Sequence, residues 1–422
     1  MQLKKKKPML SAGSVGNISC ALAAATCSLI ALPVHAAEGE DGWKVDSAVL
    51  YYSEQDRVTA VEPVVSAGKT FADDSELQMK LTLDSLTGAS HNGAMVLDQP
   101  QTFTSPSGSE YDVAPGEVPL DDSFKDTRVA FNAQYTRPWT RTLRWTAGAN
   151  FSNEYDFQSF GVNAGLLWDL NQKNTTLTLA FSHEADTINA VGDIPDPLTS
   201  MPSPTTTVAA TTKQTLGASD TRSVNDILLG WTQVMNRRWI MQLNYNLSSS
   251  SGYHNDPYKV VTVYDPNTDI VDDYLFESRP DSRTKNSIYW ENRYHLTDDV
   301  LALGYRYMTD DWGVTSHTLD ASWRHEMANG WYLQPHLRYY TQSAADFWHE
   351  YVTPGEVASL EEATGDYRLG NLDDMTYGLK FGRKLSKGRE WNARVEMFQQ
   401  SGDTDAAEVD ALITQVGYTF YW

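Results

Sequence analysis

The chain has 422 residues, 33 basic against 55 acidic side chains, and a formal net charge of −22. So acidic a surface argues against nucleic acid as a partner, because phosphate binding needs a basic face. The mean hydropathy is −0.45, and beyond the amino terminus no apolar run is long enough to span a membrane as a helix, which excludes a helical membrane protein but not a β-barrel.

In chain order, Lys4 to Lys7 form a positive region, and no acidic residue precedes Glu38. An Ala-rich apolar run from Ala21 to Leu32 follows, then Val34-His35-Ala36, the small-residue pattern of a signal-peptidase site. Residues 1–36 are therefore expected to be a cleaved signal peptide. A membrane anchor is the competing reading, but the run is short for a bilayer span of roughly twenty residues. Both cysteines, Cys20 and Cys27, fall inside this segment, so residues 37–422, expected to form a single domain, have no thiol for a disulfide or a metal.

From there the chain alternates between apolar and polar residues. Clear cases are Leu77-Met79-Leu81-Leu83, Val129-Phe131-Ala133-Tyr135, Trp239-Met241-Leu243-Tyr245-Leu247, Leu301-Leu303-Tyr305-Tyr307 and Trp391-Ala393-Val395-Met397. A period of two is that of a strand with unlike faces, and about sixteen such strands are expected, an even number as bacterial barrels require. Every second connection is short, as at Phe71 to Glu76, Met235 to Arg238, Met327 to Gly330 and Leu385 to Arg389. The four long loops, Thr87 to Asp126, Thr187 to Arg222, Ser250 to Arg283 and Ala344 to Asn371, all fall in the alternate set. Short periplasmic turns opposite long extracellular loops are the pattern of an outer-membrane barrel. A soluble sandwich shares the alternation but not this loop order. Trp43, Trp139, Trp168, Trp239, Trp331, Trp391 and Trp422 cluster near the short-turn end, as an interfacial girdle would. The chain closes on Asp410 to Trp422, where Tyr418, Phe420 and Trp422 share one face. This resembles the terminal signal read by the barrel-assembly machinery.

Two stretches resemble the hallmark of a known family. They are Glu62-Pro63-Val64-Val65-Ser66 and Leu81-Thr82-Leu83-Asp84-Ser85-Leu86-Thr87-Gly88-Ala89-Ser90, continuing His91-Asn92-Gly93-Ala94. The chain resembles domain-of-unknown-function family 3570, Gram-negative outer-membrane proteins, with His91 standing where a Pro is expected. The resemblance implies a surface barrel and supplies no catalytic residues. It also implies a neighbourhood of flavin-transferase lipoproteins and thioredoxin-like proteins, a hint of an envelope redox system. Read from the residues alone, Glu62 and Asp84 point inward and Thr87 to Ser90 form a small-residue exit into a loop. A structural role and a binding role at the loop base both fit.

Inward parity also collects Arg283, Lys285, Glu291, Arg293, Arg306, Asp320, Arg324, Arg338, Lys380, Arg394 and Glu396. Such charges must be hydrated or paired. They read either as a salt-bridge network stiffening the wall or as a constriction whose opposed rows select solutes. In the loops, Asp265, Asn267 and Asp269 alternate like the opening of a calcium loop. Ile270 and Phe276 stand where its Gly and Glu belong, so a solvated acidic turn facing lipopolysaccharide is the plainer reading. Pro195 to Thr221 reads as an extended Ser/Thr/Pro-rich loop. His183, His254, His317, His325 and His349 are scattered without a spacing that specifies a nucleophile and its base, so no enzyme, cofactor or firm metal site is expected. The sequence thus predicts an all-β outer-membrane barrel, porin-like, passing small polar solutes through a charged lumen. A non-conducting barrel scaffolding an envelope complex is the alternative, and an outer-membrane hydrolase comes third.

Overall fold

The computed structural model describes residues 42–106, 108–203, 206 and 212–422. The expected signal peptide lies outside them. Sixteen antiparallel strands close into one barrel. The first four are β1 (Lys44–Glu54), β2 (Thr59–Thr70), β3 (Glu76–His91) and β4 (Leu120–Pro138). Next come β5 (Leu143–Asn153), β6 (Phe157–Leu170), β7 (Thr175–Ile188) and β8 (Asp220–Asn236). The second half holds β9 (Trp239–Gly252), β10 (Ser282–His295), β11 (Val300–Asp310) and β12 (Thr315–Glu326). It ends with β13 (Trp331–Gln342), β14 (Leu372–Lys384), β15 (Glu390–Gly402) and β16 (Val409–Tyr421).

Closure is made by β1 against β16, in unbroken register from Lys44 opposite Tyr421 to Glu54 opposite Ala411. Beyond the ladder, Trp43 and Trp422 exchange backbone hydrogen bonds of 2.6 and 2.9 Å. No strand edge is left open, as a wall surrounded by hydrocarbon requires. The outward set is apolar and exposed, including Leu179, Leu229, Leu319, Leu337, Val395 and Val416. Inward positions carry the polar residues between them. The fold is thus a transmembrane barrel of the outer-membrane type, with the strand number and loop order that the alternation predicts.

At the short-turn end the chain reverses tightly. Asn329 and Gly330 have φ of 61° and 76°, and Lys387 and Gly388 have 59° and 68°. Positive φ at two successive residues is the hairpin geometry that matches strand twist. The aromatic girdle is present there: Trp331 packs 4.8 Å from Phe381 and 5.5 Å from Trp391, ring centre to ring centre. Tyr418 and Phe420 stack, and Trp422 is 84% exposed.

The extracellular end departs from expectation. Strand β3 does not leave the wall at Thr87 but runs on to His91, its register shifting between Gly88 and Ser90. Gly88 is what allows this. It has φ of 138°, and a Cβ there would stand 2.1 Å from the Arg57 carbonyl oxygen. The long loops contain strands of their own. Residues Gln101–Thr104 pair with Glu110–Val113, and Ile194–Pro195 with Thr215–Gly217. Val260–Asp265 pairs with Ile270–Phe276 and, in parallel, with Tyr351–Val352. The parallel pairing with Tyr351–Val352 links segments far apart in sequence, which local alternation cannot reveal.

The two faces of one strand give a direct check. Leu229, near the middle of β8, faces lipid, and Leu228 faces the lumen. Leu229→Arg is expected to cost about 2–4 kcal/mol in refolding into bilayers, the depth-dependent penalty of a lipid-facing cation. Leu228→Arg should cost much less. Equal costs in a urea titration would contradict the assigned orientation.

Candidate functional site

Two features dominate the interior: a folded cap over the extracellular mouth and a lumen with unlike walls. The cap is built from four loops, residues 92–119, 189–219, 253–281 and 343–371. Loop 253–281 leaves β9 and reaches the end of β3, six strands away around a ring of sixteen and so almost across the mouth. There the Lys259 ammonium donates to the His91 carbonyl oxygen, and the Val260 amide donates to that of Asn92 at 2.9 Å. On another side Tyr258 donates its hydroxyl to Asp156 at 2.8 Å and accepts from the Val191 amide at 2.8 Å. Met201 and Leu198 of loop 189–219 bond to Tyr274 and Phe276, and Ser278 exchanges backbone bonds with Ala363.

Apolar clusters fill the spaces between these loops. One joins Phe103, Met201, Val260, Tyr274 and Phe276, and another Val261, Val263, Leu275, Val352 and Ala363. At the centre lies a buried ionic knot. Asp366 bonds Arg279 at 2.9 Å and Arg368 at 2.7 Å; Arg368 reaches Asp256 at 3.2 Å, and Thr364 donates to Glu277 at 2.5 Å. Burial alone would raise the Asp366 carboxyl, but Arg368, with Lys259 and Arg279, holds it well below the ordinary carboxylate range. Paired charges this deep are costly to separate. His91 closes β3 from within the same region: Nε2 lies 3.0 Å from the Ala94 carbonyl and Nδ1 accepts from the Gly93 amide at 3.2 Å.

Below the cap, strands β10 to β15 form a basic wall whose charges are mostly tied. Arg283 bonds Asp310 at 2.5 Å and lies over Trp312, while Lys285 stands opposite Asp310 in register. Arg293 bonds Glu291 at 2.7 Å, and Arg324 bonds Glu326 at 2.7 Å while stacking 3.5 Å from the Tyr332 ring centre. A continuous network runs from Arg338 to Asp320 (2.9 Å), on through His336 (3.1 Å) to Glu396 (2.8 Å) and Arg394 (3.5 Å). Arg306 lies over Tyr289 and Lys380 beside Arg394 in register; among the described residues neither has a carboxylate within 4.0 Å. The residues that parity places in the lumen are thus brought together largely as pairs.

Strands β2 to β8 form an acidic wall. Glu62 and Asp84 lie side by side, and Arg128 bonds Asp84 from β4 and stands 4.0 Å from Glu154. Glu184, Asp186 and Asp226 continue the row, with Arg222 on Asp186 at 2.8 Å. Alternation gives Arg128 inward parity beside Val129 and Phe131, but its pairing with Asp84, and the place of Glu154 just past the end of β5, depend on register, which one strand's pattern does not give.

The loop candidates resolve into turn chemistry. Asp265 accepts from the Asn267 amide at 2.9 Å and its side-chain nitrogen at 3.0 Å, and Asp269 accepts from the Tyr264 hydroxyl at 2.8 Å. These contacts close the tip of the 260–276 hairpin. Among the described residues no three metal-ligating side chains converge. The histidines serve locally: His317 bonds the Tyr305 hydroxyl at 2.7 Å, and His325 bonds Asp299 at 3.0 Å. Ser250 meets His254 Nε2 at 2.8 Å, but the other ring nitrogen faces the Gly252 carbonyl of the same turn rather than a carboxylate.

Two outcomes test the cap. Asp156 lies in the turn between β5 and β6, where burial pushes its carboxyl up to about 6, the Tyr258 hydroxyl opposing. Its folded pKa exceeds the unfolded value of about 4, so its stabilising contribution is full below that pH and is lost as pH rises through the folded value. Hydrogen exchange at residues 253–260, corrected for intrinsic rate, should therefore quicken as pH rises across that window, and Asp156→Asn should flatten the profile. An unaltered profile in the variant would refute the assignment. Separately, Arg368→Ala leaves Asp366 without its strongest cation and should destabilise the cap by about 3–5 kcal/mol. Added protease should then cut loops 253–281 and 343–371 while the strands stay protected; loops as resistant as before would count against the knot.

Among solved structures, the outer membrane protein opdK from Pseudomonas aeruginosa is 9% identical with a TM-score of 0.40, covering 90% of this chain and 98% of that one. A BenF-like porin from Pseudomonas fluorescens Pf-5 is 10% identical with a TM-score of 0.43, covering 90% and 98%. The Pseudomonas putida toluene transporter TodX is 12% identical with a TM-score of 0.40, covering 97% and 95%. No curated protein matches the sequence. A family model described as protein of unknown function (DUF3570) matches residues 19–417, and the chain belongs to that family.

Proposed function

We propose that this barrel is an outer-membrane channel for small polar solutes, with the loop cap regulating entry and the charged lumen selecting what passes. The observation that carries this reading is the division of the inner wall. Carboxylates line β2 to β8, and the arginine rows line β10 to β15, with Arg306 and Lys380 left without carboxylate partners among the described residues. Opposed rows set a transverse field that orients dipolar solutes and favours polar over apolar ones. Both walls also carry ion pairs, so what supports the channel is the uneven balance between them, with the unpaired cations on one side only.

One observation favours a second reading, a barrel that binds or scaffolds an envelope complex without conducting. The cap spans the mouth and has its own cores, so the resting passage is narrowed from outside. In either reading residues 1–36 direct export, the terminal aromatic strand engages the barrel-assembly machinery, and the outer surface meets lipid and lipopolysaccharide. Envelope lipoproteins or thioredoxin-like proteins are the partners the second reading requires. A hydrolase is not proposed.

Planar-bilayer recording separates the two. We expect discrete conductance steps of low amplitude, enlarged several-fold when residues 260–276 are replaced by a short Gly-Ser turn. Arg306→Ala should shift ion preference toward cations. Silence at high protein density, in both the intact and the shortened barrel, would leave only the scaffold; an unchanged reversal potential in Arg306→Ala would remove the charged lumen as selector.

A further inference from the structure

At the periplasmic mouth the chain keeps free cations around a recess that neither the walls nor the cap explain. The turn Arg237-Arg238 joins β8 to β9, and among the described residues neither guanidinium has a carboxylate within 4.0 Å or a hydrogen bond of its own. Both border a cleft of about 430 Å³. Arg293 and His295 of β10 line it as well, and no carboxylate does. In a chain with 55 acidic against 33 basic residues, a cleft lined by four basic side chains and no acid calls for a reason.

Register shows how the cleft is made. Val234 pairs with Ile240 and Ile240 with Arg293, so the three share one row on the inner face, where parity turns Arg293. His295 pairs with Val300, one inward position nearer the turns. Val234, Ile240 and Val300 thus give the cleft an apolar floor. Ile240 is 45% exposed although it faces inward, so water reaches that floor. Beyond Val234 the β8–β9 ladder slips by one residue before Asn236 pairs with Trp239. A bulge of this kind bends a strand end and re-aims its side chains. Asn236 then braces the turn: its Oδ1 accepts from the Arg238 amide at 2.9 Å, and the Arg238 carbonyl accepts from the His295 amide at 2.6 Å. Neighbouring acids are engaged elsewhere. Glu291 accepts from Arg293 Nε at 2.7 Å, and Asp299, in the following turn, bonds the His325 ring and the Trp323 indole, each at 3.0 Å. Asp298 of that turn does not border the cleft.

We propose that this cleft is a recognition site for a small organic carboxylate, its charge held by Arg237 and Arg238 and its hydrocarbon part laid on Val234, Ile240 and Val300. A planar carboxylate matches the guanidinium fork in two parallel bonds. The volume lies within the range of about 300–1,000 Å³ typical of small-molecule sites. Inorganic phosphate has no apolar part to set on the floor. The cap adds an axial bias. Its four loops hold nineteen acidic against four basic residues, so an anion inside the lumen is drawn toward the periplasmic end. The inference rests on the channel reading in naming a solute class, although binding itself does not depend on conduction.

The test uses the full barrel refolded in a zwitterionic detergent, with labelled hexanoate in equilibrium dialysis at low salt against a detergent blank. We expect saturable binding of one hexanoate per chain, at least tenfold tighter than acetate competing for the same position. Arg237→Gln combined with Arg238→Gln, which removes both charges from an exposed turn, should weaken hexanoate at least tenfold with the barrel still heat-modifiable on electrophoresis. Ile240→Thr, a strand-compatible change, should narrow the margin between hexanoate and acetate several-fold. Lys387→Asn, in another turn at the same end, should bind as before. No saturable binding, binding unchanged in the double variant, an unchanged margin in Ile240→Thr or an equal loss in Lys387→Asn overturns the site. So does displacement by inorganic phosphate or a tetra-aspartate peptide at lower concentration than unlabelled hexanoate, because that assigns the cleft to another class of anion. Conductance without hexanoate binding sinks this inference alone, whereas binding without conductance sinks the channel and leaves the cleft standing.

Discussion

The pairing of β1 with β16 is the interaction on which everything else depends. In hydrocarbon a backbone amide without a partner has no water to fall back on, so a spanning sheet must have no edge. The register from Lys44 opposite Tyr421 to Glu54 opposite Ala411 meets that requirement. It also brings Leu50 of β1 and Ile413 of β16 together on the inner face beside β2 and β3. The first and last strands therefore close the wall and at the same time help pack the apolar cluster beside Glu62.

Once closed, the barrel holds its interior by two different kinds of chemistry. The basic wall is a set of charge pairs and ring contacts, some made within one strand, as at Arg293–Glu291 and Arg324–Glu326, and some with a strand one or two away, as at Arg338–Asp320 and His336–Glu396. The acidic wall is under-satisfied, and its surplus charge lies next to an apolar cluster rather than open water. Above both, the cap is organised like a small soluble domain, with apolar cores and a buried ionic knot, although its pieces come from four separate loops. Rigidity in the wall and closure at the mouth thus have separate physical origins.

Much of this was legible in the residues. Alternation and turn parity specify about sixteen strands, their faces and which end carries the short turns, because lipid on one side and water on the other impose a period of two at every step. The same parity places Arg293, Arg306, Asp320, Arg338 and Glu396 in the lumen. It could not give the pairing of Glu62 with Asp84 and Arg128, since a partner across a ladder depends on register and not on local pattern. Nor could it foresee that Thr87 to Ser90 stay in the wall: a small-residue run reads as an exit, and only the Gly88 bulge against Arg57 shows how β3 continues. The cap was illegible for a related reason. Lys259 and His91, or Ser278 and Ala363, are neighbours only after the barrel has set the distances between loop bases.

Surface segments of a barrel are ordinarily the part freest to drift, because each hangs from its own pair of strands. Here four of them share load, so a replacement in one alters the fit of the other three. The tolerance left to the exterior should then concentrate at hairpin tips such as 265–268, where Asp265 bonds Asn267 within the turn. Those tips, rather than whole loops, are where the protein can change its outward face, and where a foreign peptide could be displayed, without disturbing its closure.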